Sequence, residues 1–119
     1  MSIERLHCGP RMSQVVIHDN KTVYLAGQVA THAEGKNVAA QTQEILALID
    51  ALLGEAKTDK SKLLSATIWL TDMATFDEMN SVWERWVAPG TAPARATVLS
   101  PALAGSAYKI EIGVIAARD

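Results

Sequence analysis

One α+β domain, a single mixed sheet carrying two helices on one face, is the fold class this sequence predicts. Three observations lead there. The chain has 119 residues, the length at which one core and one domain, residues 1–119, are expected. Its apolar residues alternate between a two-residue and a helical spacing, in the order ββαβαββ. No repeat, linker or low-complexity tract interrupts that order, so all strands are expected to join one sheet.

The elements follow in turn. Val15 to Ile17 and Thr22 to Val29 are β-prone, and His18-Asp19-Asn20-Lys21 between them favours a turn, which predicts an N-terminal hairpin. From Val38 the residues Ile45, Leu46, Ile49, Leu52, Leu53 and Ala56 recur at helical spacing behind Asn37, a suitable N-cap. Leu64, Ala66, Ile68 and Leu70 alternate with Ser65, Thr67 and Trp69, the pattern of a central strand. Thr75 and Glu78 have the form of a capping box, after which Phe76, Met79, Trp83, Trp86 and Val87 mark the core face of a second helix that ends at Pro89-Gly90. Two more strands, Ala94 to Leu99 and Tyr108 to Ala116, flank the loop Ser100 to Ala107. Helices on one face leave the other face bare. Val16 and either Ile68 or Trp69, depending on register, would lie there, and an apolar face of a small domain favours burial against further copies.

Composition excludes several functions. Eleven basic against thirteen acidic residues, without runs of like charge, give no field for nucleic acid or anionic lipid. Met1 to Met12 lacks the apolar stretch of a signal peptide or membrane helix, so the expected location is cytoplasmic. Cys8, the single cysteine, reads as a small apolar filler. His7, His18 and His32 have no partners at metal-ligand spacing and read as surface residues, so no metal is expected. Nucleotide, dinucleotide, zinc and serine-hydrolase motifs are missing, which predicts chemistry by ordinary side chains without a cofactor.

Two segments carry such chemistry. In Pro93-Ala94-Arg95-Ala96-Thr97-Val98 an arginine enters an otherwise uncharged strand, and its planar fork suits a carboxylate; the alternative is a structural ion pair. In Lys109-Ile110-Glu111-Ile112, Glu111 points away from its isoleucine neighbours. Among apolar surroundings its pKa would rise towards the range a proton shuttle needs; the alternative is an edge-strand residue facing solvent.

These segments belong to a larger pattern. Gly9-Pro10, Leu25-Ala26-Gly27-Gln28-Val29, Ala66 to Asp72 running into Met79-Asn80, Pro93 to Val98 and Lys109 to Ile112 resemble the Rid (reactive intermediate deaminase, YjgF) family in order and spacing over nearly the whole chain. The resemblance implies a chorismate-mutase-like fold and a homotrimer whose clefts lie between adjacent subunits. It implies hydrolysis of enamines or imines of small carboxylic acids, 2-aminoacrylate among them, to 2-keto acids and ammonia. Arg95 matches the arginine that binds the substrate carboxylate, and Glu111 the glutamate that handles water or a proton, with the backbone near Gly27 helping to position the substrate. The chain departs from the family's G-P-Y, S-G-Q and P-A-R-x-C patterns at Arg11, Ala26 and Thr97. Arg11 reads as a surface charge or a second anion contact, and Thr97 keeps a hydroxyl on the strand face of Arg95. These departures point to a divergent subgroup. A non-catalytic trimer that binds a small acid is the main alternative, and the RNA cleavage attributed to some relatives would call for a basic face.

Overall fold

Apolar alternation becomes a sheet whose two faces have different fates in the computed structural model, which describes residues 2–119. The strands are β1 (Ile3–Cys8), β2 (Ser13–His18), β3 (Thr22–Leu25), β4 (Leu63–Leu70), β5 (Ala94–Leu99) and β6 (Ile110–Ala117), and the helices are α1 (Val38–Glu55) and α2 (Phe76–Trp86). The six strands form one sheet in the order β1-β2-β3-β6-β4-β5. Neighbours are antiparallel except β4 and β5, which run parallel and are connected through α2.

On one face Val15, Ile17, Ile68, Ile110 and Ile112 meet Ile45, Ile49 and Leu53 of α1 and Met79 and Trp83 of α2, and all are buried. Ile68 therefore belongs to the core, fully shielded, while Val16 and Trp69 take the opposite face. Cross-strand register brings Val16, Tyr24 and Ile115 together there, and Trp69 beside Glu111 and Val98. No element of the described residues covers this face, although Tyr24 and Val98 are large, apolar and about two-fifths exposed.

Several expectations hold to the residue. Asp19 and Asn20 adopt positive φ, 54° and 58°, closing the hairpin with the left-handed backbone their short side chains tolerate. Asn37 caps α1 by accepting from the Ala40 N–H. Others are corrected. The chain begins with a strand that was not foreseen: β1 lies at the sheet edge with only Leu6 half-buried, so its segment carries no core pattern. Cys8, in that strand, is exposed and is no filler. Thr75 and Glu78 form no capping box. The Thr75 hydroxyl donates to the Asp72 carbonyl, and Glu78 reaches across to accept from the Ala39 N–H, so it caps α1 instead of its own helix. Gln41, fully buried in α1, donates to the Lys36 and Ala107 carbonyls and accepts from the Lys109 N–H, fastening the loop before β6 to the helix layer. Among the described residues no helix is long and apolar enough to cross a membrane.

Candidate functional site

Glu111 stands on β6 between Ile110 and Ile112, both fully buried on the helix side, so the two-residue period turns its carboxylate to the open face. Its ladder partner is Trp69. Gly27 lies directly over it: a Cβ at Gly27 would fall 2.9 Å from the Glu111 carboxyl carbon and 3.2 Å from its Cγ. Any side chain at residue 27 would thus take the space the carboxyl uses. The backbone is held there because Gln28 exchanges both N–H···O bonds with Ile112, at 2.8 and 3.1 Å, while the Gln28 amide donates to Gln14. Burial pushes the Glu111 carboxyl above its ordinary pKa, the direction expected for a partly desolvated carboxylate without a cation.

Arg95 and Thr97 share the other face. Arg95 aligns with Ala66, which aligns with Val114, a row that is buried on the helix side. Its guanidinium lies under α2, 5.4 Å from the centre of the Trp83 ring and 5.9 Å from that of Phe76, with Nη1 4.0 Å from the Met79 sulfur. Among the described residues no carboxylate comes within 4.0 Å of it. The ion-pair reading of Arg95 thus finds no partner among the described residues of its own chain. Burial pushes its pKa down, against which the charge of Glu84 acts, but an arginine remains a cation throughout the physiological range. The Thr97 hydroxyl is buried and has no hydrogen-bond partner among the described residues. Arg11 is exposed in the turn between β1 and β2, where it lines a depression with His7, Pro10 and Gln14.

The sequence-predicted residues thus fall into two groups. Glu111 and Gly27 meet on the open face; Arg95 and Thr97 lie on the helix face of the edge strand β5. One chain does not bring the two groups together. Three contributors escaped sequence reasoning. Trp69 was seen only as an apolar residue of uncertain face, and the ladder that sets it beside Glu111 is a tertiary fact. Phe76 and Trp83 read as core by their helical spacing, yet Phe76 is 36% exposed and both rings pack on Arg95.

A mixed sheet with two helices on one face, a desolvated carboxyl on the other and an unpaired arginine on its edge define a class of small one-sheet proteins. Comparison with known proteins places the chain within it. A family model described as Endoribonuclease L-PSP matches residues 3–118. A RutC family protein of Haemophilus ducreyi is 44% identical over 115 residues, covering 97% of this chain and 96% of its own length. The RutC family protein YoaB of Escherichia coli is 42% identical over 117 residues, with 98% and 99% covered. The crystal structure of a YjgF family protein from Neisseria meningitidis aligns with a TM-score of 0.93 at 39% identity, covering 100% of this chain and 97% of that one. The chain belongs to the YjgF/Rid family.

Proposed function

We propose that this protein hydrolyses enamines and imines of small carboxylic acids to 2-keto acids and ammonia, in clefts formed between the subunits of a homotrimer. The observation that carries this reading is the half-buried guanidinium of Arg95, held by two aromatic rings and paired with no carboxylate of its own chain. Such a fork is preorganised for a carboxylate from outside. The bare apolar sheet face supports assembly of several copies, and the placement of Arg95 and Glu111 on opposite faces supports a cleft in which one subunit supplies the arginine and the next the glutamate.

The chemistry needs no more than these groups. A 2-aminoacrylate-type enamine takes a proton on carbon and becomes the iminium ion, the protonated imine. Arg95 grips the carboxylate and fixes the imine carbon, with the Thr97 hydroxyl beside it as a donor or acceptor. Glu111 takes a proton from water as the oxygen adds to that carbon, giving a carbinolamine. It then returns the proton to nitrogen, and as the C–N bond breaks the carbinolamine hydroxyl gives its proton to Glu111 and becomes the C=O, leaving the keto acid and ammonia. A carboxyl with a raised pKa suits both halves of that exchange.

Although the matching family model is described as an endoribonuclease, RNA cleavage finds little support in a chain of eleven basic and thirteen acidic residues. The test is to generate imines in situ from a panel of amino acids with an oxidase and to follow imine decay and ammonia release. Accelerated decay is expected. If no imine decays faster but 2-keto acids bind through Arg95, the protein is a small-acid-binding trimer and not a deaminase.

A further inference from the structure

The surroundings of Arg95 carry information about substrate beyond the carboxylate. Phe76, which packs on the guanidinium, also lines a surface depression with Met73, Ala74 and Asp77. Met73 is 41% exposed and Phe76 36%, and Leu99, two pairs of residues along the helix face of β5 from Arg95, is 57% exposed. Phe76 beside a cation that has no carboxylate partner among the described residues, with Met73 next to it in the depression, makes a surface with a charged end and an apolar end. Isolated apolar residues on a surface need no explanation, but a contiguous group next to a ligand-binding charge does. Asp77 places a negative charge at the apolar end, where it disfavours a second carboxylate.

Resting on the reading of Arg95 as the carboxylate receptor, we propose that this site selects monocarboxylic substrates with an apolar side chain, branched or aromatic, over the smallest members of the class and over dicarboxylates. The carboxylate sits on Arg95, and the side chain runs across Phe76 into the depression beside Met73.

The experiment uses stable 2-keto acids in place of the short-lived imines. Pyruvate, 4-methyl-2-oxopentanoate, phenylpyruvate and 2-oxoglutarate are titrated calorimetrically into the assembled protein. A fully buried methylene is worth about fourfold in affinity, and the depression covers one side only, so 4-methyl-2-oxopentanoate should bind roughly tenfold tighter than pyruvate. Phenylpyruvate should follow it, and 2-oxoglutarate should bind more weakly than either. Met73→Ala, at an exposed position where folding is not at stake, should bring the ratio between 4-methyl-2-oxopentanoate and pyruvate towards one. Equal affinity for pyruvate and the larger acids overturns the proposal while leaving the role of Arg95 standing. It is also overturned if Met73→Ala dissociates the oligomer without changing the ratio, since the patch is then a contact between subunits. Failure of every acid to bind overturns the reading of Arg95 itself, and this inference with it.

Discussion

Gly27 and Glu111 are coupled by space, because a side chain at residue 27 would take the room that the carboxyl uses. Gly27→Ala should displace the far end of Glu111, a flexible group, instead of disrupting the backbone. Imine hydrolysis should fall while the melting temperature changes little, and a variant as active as the original would mean that the carboxyl's position is unimportant. Glu111→Gln preserves shape and removes the proton, so hydrolysis should drop by about 10²- to 10⁴-fold, as read from initial rates. The same variant has a stability signature. Because the folded state raises the Glu111 pKa, it holds its proton more tightly than the unfolded chain, and this favours folding below the ordinary carboxylate pKa. That contribution is lost as pH rises through the folded-state value. Melting curves from acid to neutral pH should therefore show Glu111→Gln gaining on the original protein as pH rises; parallel curves would place the carboxyl in free solvent. The alternation around Glu111 was legible in the sequence, but its contact with Gly27 was not, since it joins residues 84 positions apart and the hairpin gave no spacing rule for it.

At the scale of elements, local pattern decided what could be read. β5 and α1 announced themselves, β5 at Ala94–Leu99 and α1 through Asn37 and an apolar stripe. β1 did not, because an edge strand with solvent on both sides obeys no burial period. The Thr75–Glu78 motif misled for a related reason: a glutamate three residues into a helix serves whichever N–H is nearest in space, and here that is Ala39 of α1. Glu78 and Asn37 therefore cap the same helix end, and Asn37→Ala should cost about 1 kcal/mol in denaturant unfolding, with Glu78→Ala adding a further loss. If Glu78→Ala is neutral, the crossing between the helices gains nothing from that bond. Trp83 serves two elements at once, closing the core at 5% exposure and bracing Arg95 of β5 from above. Trp83→Ala should destabilise the subunit by about 3 to 5 kcal/mol in the same assay. A near-neutral result would contradict its place in the core.

For the whole molecule, the sheet topology sets the terms on which a site can exist. The row Arg95, Ala66, Val114 faces the helices and the row Val98, Trp69, Glu111 faces away, so within one chain the two proposed functional groups lie on opposite faces of the sheet. From the sequence the bare face could be foreseen in outline, because two helices can cover only one side of a sheet, but its composition depended on a register that alternation alone leaves open. Light scattering at micromolar concentration should give a trimer. The measurement that bears most directly on the account is complementation between inactive variants. Arg95→Ala and Glu111→Gln are each purified, then unfolded together and refolded as a mixture, and imine hydrolysis is followed. If each cleft takes its arginine from one subunit and its glutamate from the next, random assortment leaves about one cleft in four intact, and activity should return to roughly a quarter of the original. A mixture no more active than its two components separately would contradict the shared site.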